Sequence, residues 1–82
     1  MRKPRRKFRG KRSSVDRKSV GRRIRELRGF ETTQEDFARR IGISQSHLST
    51  IEHGEVEPGG EILLRISREF GKSVDWLLTG EG

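Results

Sequence analysis

The 82-residue chain has no cysteine, two prolines, one tryptophan and only 28% hydrophobic residues. Without cysteine there is neither a disulfide framework nor a thiolate zinc site, which fits a reducing compartment. No apolar run approaches membrane-spanning length, and the basic N-terminus is not followed by the apolar stretch of a secretory signal. The expectation is a cytoplasmic protein with no membrane partner. So little apolar material supports one small domain, in which folding removes only about 60% of the chain's surface from water. Catalytic constellations are also missing. There is no Gly-x-Ser-x-Gly elbow, and His47 and His53, the two histidines, fall on different faces of one expected helix with no further ligand at metal spacing. No enzyme activity, metal or cofactor is expected.

Positive charge is abundant, and it is unevenly placed. The formal net charge is +7. Residues 1–18 carry ten Lys or Arg against Asp16, a charge of +9, whereas residues 19–82 carry nine bases against eleven acids, a charge of −2. The opening stretch, Met-Arg-Lys-Pro-Arg-Arg-Lys-Phe-Arg-Gly-Lys-Arg-Ser-Ser, sets one aromatic, a proline and a glycine among like charges and cannot bury enough surface to fold alone. Residues 1–18 therefore read as a disordered basic arm, and residues 19–82 as the folded domain.

From Ser19 the pattern becomes helical. Val20, Ile24 and Leu27 recur at helical spacing, with Arg22, Arg23, Arg25 and Glu26 outward, and this helix ends near Gly29. Thr33 is placed to cap a second helix that runs to Ile41, with Asp36 three residues on as a weak capping box. Gly54 and the breaker-rich Glu55-Val-Glu-Pro-Gly-Gly end a third helix spanning about Gln45–His53. A fourth, Gly60–Phe70, puts Leu63, Ile66 and Phe70 on one face and stops at Gly71, and Ser73 caps a short fifth helix, Val74–Leu78. No strand and no internal repeat is visible, so the fold class is all-α.

Residues 34–53 hold the most specific pattern. Phe37 and Ile41 share one helix face, and Leu48 and Ile51 share a face of the next. Ala38 keeps the contact between the helices small, Gly42 stands where the chain must turn through a left-handed conformation, and Ile43 plugs the turn. Ser44 is an N-cap candidate. The outward positions of the following helix are Gln45, Ser46, His47, Ser49 and Thr50, polar and short enough to enter a major groove and meet base edges. That pattern reads as a helix-turn-helix. His53, at the helix end, could touch a phosphate or simply favour the negative helix terminus.

The stretch from about Ser19 to Gly80 resembles the phage-repressor and Cro-like (Xre-type) helix-turn-helix family, on Gln34, Glu52, Gly54, Pro58 and the closing Val-Asp-Trp-Leu-Leu-Thr-Gly-Glu as well as the motif above. The resemblance implies a five-helix, lambda-repressor-like domain and a bacterial or phage transcription regulator, most often a repressor, acting in the nucleoid. It implies that Gln34 clamps a DNA phosphate, with Thr33 and Ser44 near the same backbone. Gln45, Ser46 and Thr50 would read bases of double-stranded DNA, with His47 and Ser49 in reach of the groove. Glu52 would pair with a first-helix arginine, which Arg28 matches, although the segment from Arg28 to Gln34 is one residue shorter than the family's commonest spacing. Two-fold dimers on half-sites one helical turn apart are implied as well, here through Trp76 and Leu78 or the 55–60 loop. Gly59 and Gly60 depart from the family, standing where a capping serine and an apolar residue are usual.

Three readings of the arm stay open. Arg5, Arg6, Lys7, Arg9, Lys11 and Arg12 could follow the phosphates of a duplex or enter its minor groove, could bind RNA or an anionic membrane surface, or could confer only solubility. The net negative remainder favours the first, because a domain of that charge has little long-range attraction for a polyanion. Two other functions compete with a repressor. One is an antitoxin whose toxin partner binds elsewhere on it, and the other is an adaptor that docks protein and RNA.

Overall fold

The computed structural model describes residues 15–82. They form five α-helices: α1 Arg17–Arg28, α2 Gln34–Ile41, α3 Gln45–Glu52, α4 Gly60–Phe70 and α5 Val74–Thr79. There is no strand among the described residues.

Side-chain caps set most of the helix starts. Thr33 Oγ1 accepts from the Asp36 amide at 3.0 Å, Ser44 Oγ from the His47 amide at 3.0 Å and Ser73 Oγ from the Trp76 amide at 2.9 Å. Each satisfies one of the amides that a helix start leaves without a partner. The capping box at α2 forms only by half, because the Asp36 carboxylate meets Arg39 at 3.1 Å instead of turning back to the cap. α1 begins two residues before Ser19, capped by Asp16. Its first turn, Arg17-Lys18-Ser19, contains no apolar residue, so hydrophobic periodicity cannot register it. α3 ends at Glu52 with His53 as its C-cap, and α5 runs one residue beyond Leu78. At α4 the cap is Gly59, which offers no side-chain bond.

α1 rests on α3 and α5, α2 on α3 and α4, and α4 on α5. Between them Val20, Ile24, Phe37, Ala38, Ile41, Leu48, Ile51, Leu63, Ile66 and Leu77 form one buried core. Phe70 closes one end: its ring stacks on Phe37 with centroids 4.5 Å apart, and the Arg40 guanidinium lies 4.6 Å over its centroid. Two glycines decide how the helices meet. Gly42 turns the chain from α2 to α3 at φ 81°, where an L side chain is strained. Gly21 lets α1 lie directly on the end of α3, since a Cβ there would collide with the Ile51 carbonyl oxygen and stand 2.9 Å from that of Glu52.

Candidate nucleic-acid interface

The tight turn at Gly42-Ile43 brings the N-termini of α2 and α3 together, so that Gln34 and Gln45, each the first residue of its helix, meet. Behind them lies the side chain that organises the site. Glu52, on the last turn of α3, is buried with 3% of its side-chain surface exposed. One carboxylate oxygen accepts from Arg28 Nε at 2.8 Å, and the other accepts from Arg28 Nη2 at 2.9 Å and from Gln34 Nε2 at 3.0 Å. Arg28 Nη1 also donates to the Thr32 carbonyl at 3.2 Å, fastening the loop between α1 and α2. The pair implied by the resemblance therefore forms, with bidentate geometry, across the shortened segment. Its hydrogen bond to Glu52 holds the Arg28 guanidinium above its ordinary pKa, against burial, which pulls the other way. Among the described residues no buried side-chain nitrogen or oxygen lacks a partner.

This arrangement fixes which way the two glutamines point. A carboxylate only accepts, so the Gln34 NH2 faces Glu52 and the Gln34 carbonyl oxygen faces Gln45, whose NH2 donates to it at 3.4 Å. Gln45 is left with its own carbonyl oxygen and one N–H, both exposed. Those are the acceptor and donor that adenine N6 and N7 require.

The rest of α3 divides by exposure. Ser46 and His47 are exposed, whereas Ser49 and Thr50 are half-buried. Thr50 Oγ1 donates to the His47 carbonyl at 2.7 Å, so toward a ligand it offers only acceptor lone pairs and its methyl group. His53 Nδ1 lies 2.8 Å from the Ser49 carbonyl, which can only accept. Nδ1 therefore carries hydrogen and Nε2 is the free atom, which donates to a phosphate only in the imidazolium form. Thr33 and Ser44 spend a hydroxyl lone pair on their caps and sit beside the glutamines at the two helix starts. The arm candidates Arg5, Arg6, Lys7, Arg9, Lys11 and Arg12 lie outside the described residues.

Sequence reading missed two features of the site. The glycine interrupting α1 was the available signal for Gly21, since a glycine inside a helix often marks a close backbone approach. Nothing in the sequence announces the Gln34–Glu52 bond, which joins residues 18 apart in the chain. Among the described residues no group of three or more His, Cys, Asp or Glu could hold a metal ion, and no helix is long and apolar enough to cross a membrane.

A short helix pair closed by a glycine turn, with a polar, uncharged outer helix held by a buried ion pair, defines a helix-turn-helix domain. The chain belongs to the helix-turn-helix family, whose sequence profile matches residues 22–77. It is 36% identical over 63 residues to repressor protein C2 of Salmonella phage P22, covering 76% of this chain and 29% of that protein. It is 34% identical over 64 residues to the HTH-type transcriptional regulator DicA of Escherichia coli, 77% of this chain and 47% of that one. A third relative, an HTH-type transcriptional regulator of Archaeoglobus fulgidus, is 32% identical over 54 residues, 65% of this chain and 76% of that one. The chain thus spans less than half the length of the phage and E. coli relatives. No solved structure matches the chain at the level of these relatives.

Proposed function

We propose that the chain binds double-stranded DNA sequence-specifically and regulates transcription, acting as a repressor. α3 enters the major groove, and α2 lies across the backbone with Gln34 and Thr33 on a phosphate beside Ser44. Gln45 reads an adenine, and Ser46, His47, Ser49 and Thr50 line the groove or its edge. The observation that carries this reading is the orientation of Gln45, set through Gln34, Glu52 and Arg28 so that one acceptor and one donor face outward. The names of the phage and E. coli relatives, a repressor and a transcriptional regulator, support the same class.

Two parts of the proposal concern affinity. Lys and Arg of the basic arm supply most of the attraction for phosphate, since the rest of the chain is net negative. A two-fold dimer assembles on DNA through the surface around the 55–60 loop and Leu78, where Val15 and Val56 are exposed and Leu78 half-buried. The test is selection of bound duplexes from a random pool at about physiological salt, then titration of the winner against a scrambled duplex. An inverted repeat preferred by about a thousandfold or more is expected. Equal, strongly salt-sensitive binding to both duplexes would sink the proposal and bring the adaptor reading forward.

A further inference from the structure

One large apolar side chain has no place in the core. Phe30, in the loop between α1 and α2, is fully exposed, whereas Val15, Val56 and Leu64 are each only partly so. Beside it runs an open groove of about 560 Å³ lined by Arg22, Arg25, Glu26, Arg28, Gly29 and Phe30. Arg28 is committed to Glu52. Arg25 makes no ion pair among the described residues, and Arg22 reaches only Ser19 Oγ at 3.5 Å. Elsewhere on the helices Arg39, Arg40 and Arg65 each face a carboxylate, and Arg23 donates to the Leu77 carbonyl at 2.9 Å. Arg17, Lys18 and Arg68 also lack an ion pair among the described residues but lie away from an exposed aromatic ring. Two uncommitted guanidiniums and one naked aromatic ring thus share one groove with a single acid, Glu26.

We infer that this groove is a second footing on the DNA backbone, holding the sugar-phosphate strand just outside the base pairs that α3 reads, with Arg22 and Arg25 on phosphates and the Phe30 ring against deoxyribose. The inference rests on the reading proposed above. Continuity argues for this occupant. Phe30 stands four residues before Gln34, at most about 14 Å of chain, and a strand advances only about 3.4 Å along the duplex axis per nucleotide. A strand held at the start of α2 therefore passes this loop within a few nucleotides. The loop is anchored to the same network, through the bond from Arg28 to the Thr32 carbonyl and the Arg28–Glu52 pair. The chemistry fits as well. Guanidinium matches phosphate, and a sugar gives the apolar ring a face to cover without asking for a particular base.

The test compares two duplexes carrying the selected site, one ending at its outermost specified base pair and one with about ten further base pairs, a helical turn, on each side. The full chain should bind the longer duplex more tightly. Arg25→Ala should lower the slope of log affinity against log salt by about 0.9 on the longer duplex and leave the shorter one unchanged. Phe30→Ala, a surface change that leaves the fold intact by circular dichroism, should cost about threefold on the longer duplex only, as covering roughly 25 Å² of apolar surface would, with no change of slope. Equal effects of either substitution on both duplexes, or none on either, would overturn the inference while leaving the recognition by α3 standing. So would a Phe30→Ala variant that changes self-association in sedimentation but not DNA binding, which would make the groove a protein contact. If the full chain prefers no duplex at all, the proposed function fails first and the inference with it.

Discussion

Replacing Glu52 with leucine tests the ion pair that joins the fold to the site. The substitution removes the acceptor for Arg28 Nε, Arg28 Nη2 and Gln34 Nε2 together. Losing one partner of a buried pair costs about 3–5 kcal/mol, because the other charge is left uncompensated. The Arg28 side chain keeps 16% of its surface exposed, so water partly rescues it and the lower end, about 3 kcal/mol, applies. A domain of this length has a total stability of roughly 3–10 kcal/mol, so Glu52→Leu should lower the thermal midpoint by about 12–24 °C. Urea unfolding followed by circular dichroism, with Arg28→Met and the double variant beside it, separates the pair from its parts. The double variant buries no lone charge and should be at least about 1 kcal/mol more stable than Glu52→Leu alone. Its Gln34 nevertheless lacks an acceptor to orient it, so preference at the Gln45 position should relax even as stability returns. Costs for the two single changes that simply add, or a loss below about 1 kcal/mol for Glu52→Leu as for an exposed pair, would refute the argument.

Gln45→Ala should cost about 1–3 kcal/mol on the selected duplex and relax preference at one base pair, read by titrating a set of single-substituted duplexes. Gly21→Ala should destabilise by about 1–3 kcal/mol by urea midpoint, since its methyl group drives α1 off the carbonyls of Ile51 and Glu52 despite alanine's better helix propensity. Deleting residues 2–12 should weaken selected and scrambled duplexes alike and flatten the salt dependence, as measured by titration over a salt series. The pKa of Arg28 is raised on folding. Its stabilising contribution is then complete below the unfolded arginine range and is lost only as pH rises through the folded value, so the cost of Glu52→Leu, which leaves Arg28 charged throughout, should be equal at about pH 6 and pH 9.

Most of the fold is legible in the chain because its signals are local. Phe37, Ile41, Leu48 and Ile51 lie at spacings that only crossing helices make useful, and all four are buried. Gly42 takes the left-handed conformation its position required, and Thr33, Ser44 and Ser73 cap the helices they precede. Local signals fail where the deciding contact is distant or the segment is polar throughout. The first turn of α1 has no apolar residue to mark it. Asp36 has two uses within reach, the cap and Arg39, and takes the second. At the site, family resemblance singled out Gln34, Gln45 and Glu52, but their joining into one hydrogen-bonded chain depends on how α2 packs against α3, a tertiary fact. Phe30 lies fully exposed in the loop between α1 and α2, and no local pattern in the chain marks it as such.

The charge distribution divides the proposed task between two parts of the chain. On the helices Arg28, Arg39, Arg40 and Arg65 are matched by carboxylates while, among the described residues, Arg22 and Arg25 are not, and the outward residues of α3 are one amide, three hydroxyls and one histidine. Hydrogen bonds from such a surface distinguish bases at short range and release few counterions. Residues 1–18, at +9 with Arg17 and Lys18 already in the first turn of α1, carry the excess that attracts a polyanion at a distance and is screened by salt. On the proposed reading, sequence-independent affinity and discrimination rest on different residues, so deleting the arm should leave the preference between duplexes in place. On that same proposed reading, a basic arm attached to a neutral reading helix holds the chain near DNA without deciding where it stops, and the choice of site falls to Gln45 and the buried pair that orients it.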